Sequence, residues 1–254
     1  MSYVIRRIKN KIRLPAAAFK WLNLNKPQFD CPLCNYHGPF RNFDSFAGLR
    51  LHVQCPRCGA LERHRLQYLV VVDVLTKLDT ENKKMLHIAP EPFFRNFFSS
   101  RFGTYETADL NMSGVDHRFD LQNAPFQDES YDFVFASHVL EHVADDVKAI
   151  REIRRILKPG GIAILPVPLV CEKTIEYPEA NPNESYHMRA PGLDYVEKYQ
   201  PYFSKVETRA SDSVPERFQT FIYEDRRVWP TKACPYRPPM QGERHLDLVP
   251  ICYV

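Results

Sequence analysis

The sequence predicts an α/β fold built on a mostly parallel β-sheet, and two observations carry this prediction. From about residue 84 onward, short apolar segments alternate with amphipathic stretches, which is the pattern of strand–helix units around a parallel sheet. In addition, Tyr131–Ser137 and Ile162–Val167 are nearly continuous apolar runs, as expected of central strands that are covered on both faces. The further strand candidates are Met85–Ala89 and Tyr105–Leu110.

Two helices are predicted from apolar residues at helical spacing. The first spans residues 61–83, and its apolar positions are Leu66, Leu69, Val70, Val74 and Leu78. The second spans Asp145–Leu157. It is expected to end at Lys158-Pro159-Gly160-Gly161, because a cation in the last turn followed by proline and glycine terminates a helix.

The composition divides the chain into a basic amphipathic segment, a cysteine-bearing module and the α/β domain, which span residues 1–27, 28–60 and 61–254. Residues 168–200 and 211–246 are rich in Pro, Tyr, Asn and charge. They are expected to form long loops and short helices over the core, and Asp247–Val254 is expected to add a final edge strand.

The length and hydropathy pattern bound the class of protein. With 254 residues, of which 44% are hydrophobic and 26% charged, the chain can bury one sizeable core and a small module. It contains no window of eighteen apolar residues, which excludes a membrane span, and no N-terminal apolar run typical of a secretory signal. We therefore expect a cytoplasmic protein.

Positive charge is concentrated at the N-terminus. Residues 1–29 carry seven Lys or Arg and no acid, which leaves 27 of the 34 basic residues against 31 acidic ones in the rest of the chain. The acidic balance of that larger part argues against nucleic acid as a partner. The basic segment, residues 1–27, either makes a peripheral contact with an anionic membrane or a protein, or is a docked helix that is basic without such a role.

Two cysteine pairs of the same form predict a metal site. Cys31-Pro32-Leu33-Cys34 and Cys55-Pro56-Arg57-Cys58 are separated by twenty residues, and four thiolates at such spacing close a tetrahedron around one Zn²⁺. Since all four ligands are protein groups, we expect a closed, structural site in a zinc-ribbon-like module. The segment that follows, Leu61-Glu62-Arg63-His64-Arg65, either faces a substrate or forms ion pairs within its helix.

Residues 84–167, about a third of the chain, resemble the core of class I S-adenosylmethionine (SAM)-dependent methyltransferases. The resemblance lies in Tyr131-Asp132-Phe133-Val134, Leu140-Glu141-His142 and Leu157-Lys158-Pro159-Gly160-Gly161, which match the family in order and spacing. The CPxC pairs and the LERHR segment resemble bacterial members that carry an N-terminal zinc module. This resemblance implies a Rossmann-like fold, SAM as the cofactor, and methyl transfer to sugars or other small metabolites.

On this resemblance, SAM lies across the carboxyl ends of the parallel strands. The loop after the first strand has no glycine where the family usually has several, so we expect Ala89 to let the backbone approach the ligand and Glu91 to bind the SAM amino group. Asp109 is expected to bind the ribose hydroxyls and Asp120 the adenine amino group. The candidate cofactor-binding residues are His87, Ala89, Pro90, Glu91, Asp109, Leu110, Asp120, Leu121, Ser137 and His138.

Catalytic candidates follow the strand that ends near Ser137. His138, Glu141 and His142 are spaced i, i+3, i+4, and they share one face if the segment is helical. Three interpretations remain open. In the first, a histidine acts as general base for a hydroxyl or amine. In the second, the three side chains bind a catalytic metal, as the resemblance to ubiquinone-pathway O-methyltransferases implies, although His138 stands where those enzymes have Glu. In the third, the His–Glu pair orients a loop.

A substrate lid is expected at about residues 168–200. Within it, His187 is a second candidate base and Arg189 a candidate for holding a carboxylate or phosphate, unless this segment pairs on the surface with Asp194 or Glu197. The sequence thus predicts a methyltransferase acting on an O or N atom of a small molecule or glycan intermediate. The alternatives are an RNA methyltransferase that docks through its zinc module, and a non-catalytic, zinc-stapled scaffold.

Overall fold

The computed structural model describes residues 14–254, so the first 13 residues of the basic segment 1–27 lie outside the described residues. The α-helices of the described part are α1 (Ala16–Trp21), α2 (Glu62–Leu75), α3 (Pro92–Ser99) and α4 (Asp146–Ile156). Its β-strands are β1 (Phe29–Cys31), β2 (Tyr36–Gly38), β3 (Arg41–Asp44), β4 (Leu49–Gln54), β5 (Lys84–Ile88), β6 (Thr104–Asp109), β7 (His117–Arg118), β8 (Tyr131–Ala136), β9 (Leu157–Ile164), β10 (Ile175–Asn181), β11 (His187–Ala190), β12 (Lys205–Ala210), β13 (Ile222–Tyr223), β14 (Arg244–His245) and β15 (Leu248–Tyr253). Among these helices, none is long and apolar enough to cross a membrane.

A seven-stranded sheet with the order β12-β15-β9-β8-β5-β6-β7 forms the centre of the molecule. Strands β5 to β9 pair in parallel, whereas β15 is antiparallel to both of its neighbours. The predicted α/β class and all four predicted strands are therefore confirmed. The strand order reverses between β5 and β8, and ligands of open α/β sheets bind at such a switch point, beyond the carboxyl ends of the strands.

Successive residues of a strand point to opposite sides of the sheet, and both faces of this sheet are covered. On one face, Leu86 and Val134 pack with the apolar side of α4. On the other face, Met85 and Phe135 pack with the residues of α2 and α3. This two-sided burial explains why the central strands are continuous apolar runs in the sequence.

Two sequence predictions are corrected by the sheet. The C-terminal strand β15 is not an edge strand, because β12, which we had not predicted, pairs with its outer side. The helix predicted over residues 61–83 ends at Leu75, where Thr76 is the C-cap. In contrast, the helix predicted over Asp145–Leu157 matches α4 to within one residue at each end.

The cysteine-bearing module consists of two antiparallel hairpins, β1–β2 and β3–β4. It is joined to the main domain by Arg65 of α2, which is fully buried. The Arg65 guanidinium donates hydrogen bonds to the carbonyl oxygens of Val53 and Ala60 in the module, at 2.9 and 3.0 Å. It also donates to those of Phe218 and Gln219, at 2.8 and 2.6 Å. Neither sequence interpretation of LERHR applies to Arg65, because its partners are backbone carbonyls of distant segments.

The region predicted as a lid contains the antiparallel hairpin β10–β11 and a 3₁₀-helix, Leu193–Lys198. Residues 211–247 add the hairpin β13–β14, which approaches the cysteine-bearing module through a bridge between Arg50 and Glu224. The module, the lid and this C-terminal segment therefore converge over the carboxyl ends of the central strands.

Candidate functional site

A cavity of about 640 Å³ opens at the carboxyl ends of β5, β6 and β8. This is the switch point of the sheet, and the volume falls in the range of small-molecule and cofactor sites. Six of the candidate cofactor-binding residues line this cavity: Ala89, Asp109, Leu110, Asp120, Leu121 and His138.

The two acids that edge the cavity are held by their own backbone turns. Oδ1 of Asp109 accepts hydrogen bonds from the N–H groups of Asn111 and Met112, both at 2.7 Å. Asp120 precedes a short 3₁₀-helix, and its Oδ1 accepts from the N–H of Gln122 at 2.9 Å. These turns fix both carboxylates at the cavity edge, where they can accept hydrogen bonds from hydroxyl or amino groups of a ligand.

Ala89 occupies the bend at the end of β5 with φ +48°. This is the left-handed region, which is strained for a residue with a Cβ and usual for glycine. The Ala89 N–H donates to the carbonyl of Ala108 on the neighbouring strand at 2.8 Å, which holds the bend. The chain therefore makes the tight turn expected of a glycine-rich loop with an alanine, at the position that the sequence suggested.

Four candidate cofactor-binding residues do not line this cavity. His87 is fully buried in the core, where its Nδ1 lies 2.9 Å from the Tyr105 hydroxyl, and burial lowers its pKa to about 3. Pro90 lines neither this cavity nor the neighbouring one described below. Glu91 and Ser137 line that neighbouring cavity instead. The side chain of a β5 residue inside the sheet has no access to the ligand edge, which explains the error for His87.

Glu91 is held by Arg63 and His64 of the LERHR segment and lines the second cavity, not the first. Its Oε1 lies 3.1 Å from Arg63 Nη2 and 3.0 Å from His64 Nε2. Burial opposes ionisation, but these partners outweigh it and lower the pKa of Glu91 to about 2. The predicted pairing within the helix is therefore not what these contacts show, because Glu91 lies outside the helix, and Arg63 lines the second cavity.

A second cavity, of about 360 Å³, lies beside the first. Its walls come from the β3–β4 hairpin of the cysteine-bearing module, Arg63 of α2, the loop after β5, the turn after β8, the lid, and the C-terminal segment. Three residues line both cavities: Ala89, His138 and His142. A group bound in one cavity therefore meets a group bound in the other at these residues.

The segment from His138 to His142 forms a turn, not the helix on which the shared-face argument depended. His142 N–H donates to Val139 O at 3.0 Å, and His138 has φ +55°. The turn still brings His138 Nδ1 to 3.5 Å and His142 Nε2 to 3.8 Å from Glu141 Oε1. The three side chains therefore meet as predicted, for a different conformational reason.

The electrostatics of this turn are set by burial. The pKa of Glu141 is raised to about 8, because its carboxylate is almost fully buried. Burial also lowers the pKa of His142, and that of His138 well below its usual value. The imidazole of His138 is therefore unprotonated near neutral pH and can accept a proton.

The two lid candidates have different environments. His187, at the start of β11, lines the second cavity, and its ring centre lies 4.7 Å from that of His142. Arg189 is buried and lines neither cavity. It contacts Glu176 at 2.8 Å and Asp146 at 3.3 Å, and it donates to the carbonyls of the turn that precedes α4. The prediction that Arg189 holds a substrate anion is therefore not supported by its position, and its acidic partners are not those considered from the sequence.

Several lining residues of the second cavity were missed by sequence reasoning. They are Phe46, Arg50, Glu224, Arg226, Arg237 and Asp247. Tyr186, with φ +62°, was also missed and lines the first cavity. None of these residues lies in a motif of its own; their places in the site depend on the tertiary fold, and no local sequence pattern indicated them.

The four cysteines of the two CPxC pairs come together in the module. Cys31 Sγ lies 3.6 Å from Cys58 Sγ, and Cys34 Sγ lies 3.6 Å from Cys55 Sγ. All four sulfurs lie within 4.8 Å of one another. Tetrahedral zinc with bonds of about 2.3 Å requires sulfur separations of roughly 3.8 Å, so the donor set fits a zinc ion.

Each cysteine pair is followed by a residue in the left-handed region, which turns the backbone around the sulfurs. After the second pair this residue is Gly59, with φ +82°. After the first pair it is Asn35, with φ +56°, and not the glycine at position 38. Asparagine tolerates this conformation better than most residues with a Cβ.

The fold is Rossmann-like, and the first cavity lies at the switch point, where domains of this architecture bind nucleotide-type cofactors. Comparison with known proteins specifies the class, because residues 99–165 match the family of methyltransferase domains. This part of the chain is therefore similar to class I SAM-dependent methyltransferases.

Similar proteins match over short stretches. The chain is 39% identical over 62 residues to demethylmenaquinone methyltransferase of Staphylococcus epidermidis, which covers 24% of this chain and 25% of that protein. It is 27% identical over 125 residues to the enzyme of the same name from Staphylococcus saprophyticus, covering 49% and 48%. The chain thus spans about half or less of the curated relatives it matches.

Among solved structures, phosphoethanolamine N-methyltransferase 2 of Haemonchus contortus, in complex with phosphomonomethylethanolamine and S-adenosylhomocysteine, is 22% identical with a TM-score of 0.46. That comparison covers 57% of this chain and 38% of the other.

Proposed function

We propose that this chain is a SAM-dependent methyltransferase that methylates an O or N atom of a small polar acceptor, either a small molecule or a glycan intermediate. The observation that carries the proposal is the junction of the two cavities at Ala89, His138 and His142. SAM in the first cavity and an acceptor in the second would meet there. Methyl transfer depends mainly on such in-line placement and on exclusion of water.

The second cavity suits a small acceptor that is rich in hydroxyl groups. Its charged residues are largely arranged as pairs, such as Arg63 with Glu91 and Arg226 with Glu224 at 3.0–3.1 Å. Paired charges offer hydrogen-bond donors and acceptors without a large net field. Apolar surface from Phe46, Leu169 and Val170 completes the walls, as in sites that bind the apolar face of a sugar ring.

His138 is the group that we assign as general base. It lines both cavities, and its pKa is held well below its usual value by burial. In this role it would take the proton of the acceptor hydroxyl or amine as the methyl group is transferred. Zinc bound by Cys31, Cys34, Cys55 and Cys58 would have a structural role in this scheme, since no ligand position stays open.

The first test is calorimetric titration of the full-length protein with SAM. We expect micromolar binding to the wild type and a weakening of about tenfold to a hundredfold in Asp109→Ala, because one charge-assisted hydrogen-bond site is lost. Asp73→Ala is the matched control, since Asp73 is exposed on α2 and pairs only with Lys77 along the same helix at 2.8 Å. Absence of SAM binding to the folded wild type would favour the scaffold alternative.

The second test is formation of S-adenosylhomocysteine in the presence of a panel of monosaccharides, nucleotide sugars and small amines. Turnover with a small acceptor, abolished in His138→Gln, is the expected result. Turnover with structured RNA alone would contradict the acceptor class and would support the RNA methyltransferase.

A further inference from the structure

A cluster of three metal-ligating side chains lies where the two cavities meet. Glu141, His142 and His187 each offer one ligand atom, and these atoms lie within 4.8 Å of one another. Glu141 and His142 come from the turn after β8, whereas His187 comes from the lid, 45 positions further along the chain. The cluster is therefore a product of the tertiary fold and differs from the His138, Glu141, His142 set considered from the sequence.

The backbone holds the two parts of this cluster together. The N–H of Met188 donates to the carbonyl of Glu141 at 2.8 Å, which fixes the start of β11 against the turn. Arg189 adds three hydrogen bonds to carbonyl oxygens of the same region, those of Leu140, Val143 and Ala144. His187 is thus positioned by its two neighbours in sequence, so that the lid contributes a fixed ligand.

Two atoms of the cluster lack a protein partner although they are buried. Glu141 is 1% exposed and its Oε2 has no hydrogen-bond partner in the described part of the chain, and the same holds for Nδ1 of His187, which is 6% exposed. Buried polar groups of folded proteins are nearly always paired with protein, water or an ion. An unpaired carboxylate oxygen and an unpaired imidazole nitrogen in one cluster therefore indicate a missing ligand between them.

The donor set identifies the kind of ligand. Two imidazoles and one carboxylate are the protein ligands of catalytic zinc sites, in which further positions stay open for water or substrate. His138 Nδ1, at 3.5 Å from Glu141 Oε1, is placed to orient the carboxylate from outside the cluster, as is common around metal ligands. The same set also accepts other divalent transition metals.

We propose that Glu141, His142 and His187 bind one divalent transition-metal cation. The donor set is one that Zn²⁺ prefers, and the open positions of the cation face the second cavity, which is proposed to hold the acceptor. In the methyl transfer proposed above, the acceptor oxygen binds the cation and loses its proton, which passes to His138 or to water. The oxygen then forms a bond to the methyl carbon as the methyl–sulfur bond breaks. Sulfur keeps the electron pair, and S-adenosylhomocysteine is the product.

Metal binding is measured on the full-length protein without SAM or acceptor, so that its outcome is independent of the proposed methyltransferase function. Protein that already holds one zinc per chain in the cysteine site is titrated with Zn²⁺, and bound metal is counted by mass spectrometry after desalting. We expect a second equivalent in the wild type. Affinity for it should fall by about a hundredfold or more in Glu141→Gln and in His187→Ala, since loss of a direct ligand costs at least as much as loss of its supporting partner.

His117→Ala is the matched control, because His117 lies on the outer strand β7 and contacts Glu106 at 2.9 Å; it should keep the second equivalent. A cooperative thermal unfolding transition and retention of the cysteine-bound zinc show that each variant is folded. A measurement that needs no variant is the visible spectrum of the zinc-loaded wild type with added Co²⁺. Absorption of nitrogen- and oxygen-bound Co²⁺, without thiolate bands, supports the site. A spectrum of free Co²⁺, or a second equivalent that both variants keep, overturns it.

Discussion

The two cavities are built in different ways from the same chain. The first cavity, here called the cofactor cavity, is lined by residues 88–144 and one residue of the lid. Its walls therefore come almost entirely from consecutive strand–helix units. The second cavity, here called the acceptor cavity, takes its walls from six segments spread between Ser45 and Asp247. The first is therefore encoded locally, whereas the second depends on long-range packing of the cysteine-bearing module, the lid and the C-terminal segment.

This difference teaches that the module contributes directly to the acceptor site. Phe46 of the β3–β4 loop and Arg50 of β4 line the cavity, and Arg65 links the module to the C-terminal segment. The match to methyltransferase domains, residues 99–165, covers much of the cofactor side and none of the module. Damage to the module should therefore separate acceptor use from SAM binding.

The largest effect is expected from removal of the cysteine ligands. Cys31→Ser together with Cys58→Ser should release one zinc per chain and unfold the module, because folding of such modules depends on the metal. Acceptor methylation should fall by more than about a hundredfold, since the fit at the reacting atoms is lost, while the affinity for SAM changes by less than about threefold, or 0.7 kcal/mol. Metal analysis, SAM calorimetry and turnover measure the three quantities.

Cys252→Ala is the control for the cysteine variant, because Cys252 is buried in the main core and belongs to no cysteine pair. It should keep its zinc. Equal loss of SAM binding and turnover in the Cys31, Cys58 variant would contradict the separation of the two cavities.

A second large effect is expected at Arg65. Arg65→Met should lower the free energy of unfolding by roughly 3–5 kcal/mol, because the four buried carbonyl oxygens that it serves lose a charged donor. Denaturant unfolding followed by fluorescence measures this change. Arg227→Met is the control, since Arg227 is half-exposed and forms only surface contacts with Asp225 and Glu243; its effect should stay below about 1 kcal/mol. Similar losses in both variants would show that Arg65 does not join the segments.

Asp247, which lines the second cavity, should make the free energy of unfolding depend on pH. Burial raises its pKa from 3.8 to about 6, although Arg50, Arg63 and Arg226 oppose the shift. The folded state therefore binds a proton that the unfolded state has released between about pH 4 and pH 6. The contribution of Asp247 is fully present below pH 4 and is lost as the pH rises to 6, by about 3 kcal/mol for the shift of roughly two units.

Asp247→Asn isolates this contribution. The difference in unfolding free energy between wild type and variant, measured from pH 4 to pH 7, should move in favour of the variant as the pH rises. A difference that is constant with pH, or that moves toward the wild type, would contradict the assigned direction.

The smallest effect is expected at Phe46, which lies on the module loop with its ring centre 6.3 Å from that of His187. Phe46→Ala should raise the KM of the acceptor by about tenfold, as expected for loss of one aromatic contact worth about 1.4 kcal/mol. The affinity for SAM should stay unchanged. Leu49→Ala, at an exposed position on the same hairpin, is the control. A weakened affinity for SAM in Phe46→Ala would contradict the assignment of Phe46 to the acceptor cavity.

The sequence determined those parts of the molecule whose causes are local. Apolar runs identified the strands that became β5, β6, β8 and β9, since burial on both faces leaves a continuous pattern. The spacing of the CPxC pairs brought four sulfurs together, because each pair is a single turn. Asp109, at the end of β6, and Asp120, just after β7, were predicted from the family resemblance, and both line the first cavity.

The tertiary structure alone decided which distant residues share a site. His87 and Ala89 are two positions apart, yet only Ala89 reaches the cavity, because strand residues alternate in direction and the chain bends at the end of β5. Arg189 points inward and donates hydrogen bonds to the turn before α4, whereas His187 lies beside Glu141 and His142. Loop paths depend on the packing of the segments beneath them, which no local pattern records. For that physical reason the cofactor side could be predicted from the sequence and the acceptor side could not.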